Sequence, residues 1–127
     1  MREDDLTTLF SSLSWVKAVF ADGRLEDVPQ KGNRNLMNMP YIEFVVDHDY
    51  REHDTTSRMR RCVLNGRVVF KKYISSAWKI KNSLELLLKG RSSDQFHWSF
   101  DEPDELGPRT EYLPFSIEYF ESVEKTA

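Results

Sequence analysis

The sequence has almost no cysteine. Cys62 is the single one, so the chain cannot form an internal disulfide. No CxxC and no Cys/His spacing spells a zinc motif. Beside Val63 and Leu64, Cys62 reads as a small core or half-buried residue. Long apolar runs are also missing. No stretch approaches the ~20 residues that a membrane helix needs. The opening MREDDLTTLF is acidic and lacks the apolar run of a secretory signal. These absences lead us to expect a soluble, cytoplasmic protein of a reducing compartment, with no membrane contact. Glycine is sparse, with five residues scattered through turn-like stretches, so a phosphate-cradling loop is not expected. There is no GxSxG nucleophile signature either.

One further absence is local. Between Asp54 and Glu85 there is no acidic residue, while Arg58, Arg60, Arg61, Arg67, Lys71, Lys72, Lys79 and Lys81 fill that window. From Asp94 onward the balance reverses, with nine acids against Arg109 and Lys125. The net charge of −3 hides this segregation.

What is present suits one domain over residues 1–127. Apolar residues make up 39% of the chain and aromatics 13%, which can build a core and argues against disorder. Leu6, Leu9, Phe10 and Leu13 recur at helical spacing behind Glu3, Asp4 and Asp5, whose charge suits a first helical turn. The pattern then alternates around Asp22-Gly23, a hairpin signal. PQKGNRNLMNMP (29–40) reads as a loop tacked to the core by Leu36, Met37 and Met39. YIEFVVDHDY (41–50) reads as a strand by its aromatic and β-branched content. RMRRCVL and RVVFKKYI flank Asn65-Gly66, the most favoured hairpin dipeptide, and are expected to form a basic hairpin.

Residues 75–89 fit two patterns. A helix collects Ala77, Ile80, Leu84, Leu87 and Leu88 on one face. A strand pair turning near Asn82-Ser83 collects Trp78, Ile80, Leu84, Leu86 and Leu88. The strand pair accounts for Trp78 and Leu86, which a helix leaves outside, and is the expectation here. QFHWSF (95–100) alternates with Phe96, Trp98 and Phe100 on one side. DEPDELGPRT is an acidic loop, and EYLPFSIEYFESV closes as a strand whose Pro114 points to an edge or a bulge. The expected class is α+β: an N-terminal helix packed on a mainly antiparallel, strand-rich sheet, forming a sandwich or partial barrel.

VVDHDYREHD (45–54) concentrates two of the three histidines and four acids. His48, Asp49 and His53 are its metal-ligand candidates. In a strand, however, Asp47 and Asp49 point away from His48, and the HExxH and calcium-loop patterns are absent. The favoured reading is a strand leaving the core into a charged turn. No metal and no cofactor are expected. His97, between Phe96 and Trp98, reads as an ordinary half-exposed residue.

The charge layout carries the functional expectation. In the expected hairpin Arg60 would face Lys71, an unfavourable like-charge pair that invites an anion. Partner-binding candidates are therefore Arg58, Arg60, Arg67, Lys71, Lys72, Tyr73 and Trp78 on the basic part, with Glu118, Glu121 and Glu124 on the acidic strand. The acids could neutralise the hairpin within the fold, or both surfaces could meet outside partners. The second is expected, because the last strand is read as outrunning its neighbours. The function so inferred is a small non-enzymatic protein-binding protein, such as an inhibitor, an immunity-type protein or an adaptor. The alternatives are nucleic-acid binding by residues 58–81, with cations on phosphates and aromatics on bases, and a metal-dependent enzyme using Asp47–Asp54.

Overall fold

The computed structural model describes residues 3–25, 34–48, 59–72, 76–91, 95–107 and 109–122. In chain order they form α1 (Glu3–Ser11), β1 (Ala18–Phe20), a 3-10 turn (Leu36–Asn38), β2 (Tyr41–His48), β3 (Met59–Lys71), α2 (Ala77–Lys89), β4 (His97–Phe100), β5 (Asp104–Glu105) and β6 (Thr110–Ser122). The six strands make one open sheet in the order β1-β2-β3-β6-β4, with β5 also on β6. Only β1–β2 is parallel; every other pairing is antiparallel. The protein is thus α+β and strand-rich, as expected, but its sheet is open rather than a sandwich or a partial barrel. Neither helix is long and apolar enough to cross a membrane.

Strand alternation gives the sheet two unlike faces. Ile42 and Phe44 of β2, Leu64, Val68 and Phe70 of β3, and Leu113, Phe115, Ile117 and Tyr119 of β6 share one face. Both helices cover it. α1 contributes Leu6, Leu9 and Phe10, and α2 contributes Ile80, Leu84 and Leu88. The Trp15 indole N–H donates to Ser83 Oγ at 2.8 Å and ties the chain after α1 to α2. Among the described residues the opposite face is covered at one end, where Met39, Tyr41 and Val69 bury against Phe20, Leu36, Leu106 and Tyr112.

Four local expectations are corrected. Asn65-Gly66 is no turn: both residues lie inside β3, which runs unbroken between β2 and β6. Gly66 stands in a cross-strand row between Phe44 and Phe115. A Cβ there would lie 3.0 Å from Phe44 Cβ, Phe115 Cζ and the Glu43 carbonyl oxygen. Phe10 packs edge-on against both flanking rings, at centroid distances of 5.6 and 5.9 Å. Glycine is needed here for close approach, the other meaning of a strand glycine.

Residues 77–89 are a helix, not a strand pair. Its buried stripe is Ile80, Leu84 and Leu88. At Asp22-Gly23 the chain does bend, and Gly23 has φ +74°. However, β1 pairs in parallel with β2, and Arg24 and Leu25 are not in a strand. The remainder of the expected return, 26–28, lies outside the described residues.

Pro114 is neither at an edge nor at a bulge. β6 has β3 on one side and β4 and β5 on the other, and Pro114 falls opposite the break between β4 and β5. Its carbonyl accepts from the Asp101 N–H at 3.0 Å, so the missing proline N–H faces the same gap and costs no ladder bond.

Candidate functional site

The cations of β3 and just beyond it meet acids from three directions. Arg60 lies directly opposite Glu121 on β6 and donates to its Oε2 through Nε at 3.0 Å and Nη2 at 2.7 Å. Arg61 reaches diagonally to Glu118 Oε2 at 2.8 Å. Arg67 is buried and donates to Glu43 Oε1 at 2.5 Å. Lys72 pairs with Glu105. The segregation seen along the chain becomes neutralisation across the sheet. Arg60 and Lys71 never face each other: they lie eleven residues apart on one strand, roughly 36 Å at strand rise. Lys71 sits half-buried opposite Thr110. Arg58, Tyr73 and Glu124 lie outside the described residues.

Glu43 is the centre of a buried network that sequence reasoning missed. It is closed to water and also accepts from Arg34 Nε at 2.9 Å. Arg34 reaches on to Asp22 Oδ1 at 2.6 Å. The Arg34 guanidinium stacks on Phe20, and that of Arg67 on Tyr112, at 4.3 and 5.0 Å from the ring centres. The hydrogen bond from Arg34, foremost, holds the Asp22 carboxyl below its ordinary range. A lone acid inside the apolar run YIEFVV was the available signal, since a buried charge requires a partner.

At one end of the helix-covered face the structure assembles a second group. His48 ends β2 directly opposite Cys62, and Tyr119 lies opposite Cys62 on the other side. His48 Nδ1 is 3.1 Å from Cys62 Sγ, which lies 3.6 Å from Glu121 Oε2. That same Oε2 is 3.9 Å from His48 Nδ1. Burial, and then the Glu121 charge, push the Cys62 thiol up, against the opposing influence of Tyr119 and Arg60. A fully buried thiol so shifted is not an activated nucleophile. Burial pushes Glu121 up, but Arg60 outweighs it and the carboxyl is held down. Of the expected metal candidates, His48 joins this group. Asp49 and His53 lie outside the described residues.

The third feature is the outer side of α2. Trp78 is 69% exposed and Leu86 70%, and with Asn82 between them they form an i, i+4, i+8 stripe. Lys79, Lys81 and Lys89 are exposed around it, and Glu85 is the single acid of the helix. On the sheet face opposite the helices, an open cleft of ≈ 250 Å³ lies between Val63, Ser116 and His97, with the Arg61–Glu118 pair at its rim.

No known protein family matches the chain, and a search of curated proteins finds no match either. The functional reading therefore rests on these three features.

Proposed function

We propose that the protein is a non-enzymatic protein-binding module and that α2 is its recognition element. The observation that carries the proposal is the joint exposure of Trp78 and Leu86 on one helical stripe. A tryptophan left in water on a short helix forgoes a large burial gain, and such anchors are characteristic of helix-in-groove recognition. The partner's chemistry follows from the surroundings. Exposed Lys79, Lys81 and Lys89 suit an apolar groove with an acidic rim, whose opposite charge steers encounter. Trp78 stays in the binding set read from the sequence. Arg60, Arg67, Lys72, Glu118 and Glu121 enter the set only through pairs they already make inside the sheet. Those carboxylate pairs also weaken the nucleic-acid reading, because they engage Arg60, Arg61, Arg67 and Lys72 among the cations of 58–81.

The test places a photo-reactive amino acid at Asn82, within the stripe, and a control at exposed Asp101. Cross-linking in host lysate is run with and without nuclease. The expected product is a protein cross-linked from position 82 alone through an acidic, apolar segment. It should survive nuclease and disappear in Trp78→Ala/Leu86→Ala. A product removed by nuclease, or one indifferent to those substitutions, overturns the proposal, as does the lack of any product specific to position 82.

A further inference from the structure

We propose that His48, Cys62 and Glu121 form a binding site for a zinc-type divalent transition metal at the end of the sheet. The donor set is one imidazole nitrogen, one sulfur and one carboxylate oxygen, all ligands that zinc accepts. The three come from three adjacent strands, so the backbone ladder holds them together without any local motif.

The distances carry the argument. Nδ1, Sγ and Oε2 form a triangle with edges of 3.1, 3.6 and 3.9 Å. Its corners lie about 2.1 Å from its centre, so a cation slightly above the plane sits about 2.2 Å from each atom. Zinc bonds to nitrogen, oxygen and sulfur span about 2.0–2.3 Å. A tetrahedral ion placed this way keeps a fourth position for water or for a partner's ligand. Cys62 is closed to solvent, whereas the side chains of His48 and Glu121 are 20% and 15% exposed, so an ion can enter from their side.

One neighbour, Arg60, shapes the site. Arg60 grips the Glu121 carboxylate and orients it, as outer-shell partners of metal ligands do. Its positive charge also opposes a second cation, and the thiol answers this. On binding, the Cys62 S–H bond breaks, its proton leaves to solvent, and a metal–thiolate bond forms. No electron is transferred. The added thiolate charge offsets half of the dication, and a metal-bound hydroxide would offset the rest.

The test uses the full chain stripped with a chelator and titrated with Zn²⁺ or Co²⁺. One equivalent should bind, and the cobalt form should show a thiolate-to-metal charge-transfer band. Cys62→Ser should abolish that band. His48→Ala, a half-buried position where the fold should survive, should weaken Zn²⁺ binding by at least about tenfold. Circular dichroism checks the fold of each variant. Binding below one equivalent overturns the proposal, and so does a cobalt complex without the band. Equal affinity in wild type and a folded His48→Ala would place the metal on other residues and equally overturn it.

Discussion

Glu43 and Arg67 face each other across the β2–β3 ladder, joined by a 2.5 Å charge-assisted bond that water does not reach. Removing the acid leaves Arg34 and Arg67 buried beside each other without their shared counter-charge. Glu43→Ala should therefore cost about 3–5 kcal/mol, the range for breaking a buried pair. Glu43→Gln keeps an acceptor and should cost less. Urea denaturation of both variants checks the order.

Gly66→Ala should destabilise, although alanine is ordinarily better than glycine in a strand by about 0.5–1 kcal/mol. The new methyl meets a backbone oxygen and two packed phenylalanines at 3.0 Å. Overpacking of this kind costs about 1–3 kcal/mol. The midpoint of denaturation should fall; a variant as stable as wild type would mean that the strands part at no cost.

Glu118→Gln/Glu121→Gln tests where the charges of β6 act. Arg61 and Arg60 hold these acids within the sheet, so the double variant should lose stability in chelator-treated protein. The loss should be modest and should shrink at high salt, where part-exposed pairs are screened. An outside partner for these acids would instead leave the melting temperature unchanged at both salt concentrations. The cross-strand pairs make the first outcome the expected one.

Acid should unfold the protein partly through Asp22 and Glu118. The hydrogen bond from Arg34 is the main cause that lowers Asp22 below its ordinary 3.8, and that from Arg61 lowers Glu118 below its ordinary 4.5. A group depressed in the fold contributes stability that is fully present above its ordinary value and is lost as pH falls through the folded one. Stability should thus be level from neutral pH down to about pH 5 and decline below about pH 4. Asp22→Asn should lower the plateau and flatten the decline, as read from urea midpoints across that range.

Ser83→Ala should cost about 1 kcal/mol, because it removes the acceptor of the part-buried Trp15 N–H. Trp15→Phe should cost more, since ring area is lost as well. A double-mutant cycle in denaturant isolates the shared hydrogen bond.

The legible parts of the fold are those where local pattern and burial agree. α1 was readable from Leu6, Leu9 and Phe10, all of which are buried. β2 was readable from its aromatic and β-branched content and β4 from alternation, and Trp98 and Phe100 do turn inward while His97 and Ser99 face out. The failures occur where local preference met a distant constraint. Asn65-Gly66 favours a turn on its own, but Phe44 and Phe115, on the strands to either side, need the space that a glycine leaves. Trp78 and Leu86 suggested strands because both were assumed to be buried. The helix leaves them in water, and this same exposure is what marks the candidate binding face.

The sequence by itself determined the class of the fold, the buried stripe of α1 and the supply of opposite charges, because each follows from composition and short-range period. Only the tertiary structure decided which charge meets which, and that Cys62 sits between His48 and Glu121. Those pairings follow strand order and register, and they join residues 14 and 59 positions apart. Register is set by packing across the whole sheet, where shifting a strand by one residue moves its buried side chains to the other face. No local spacing in the chain encodes it.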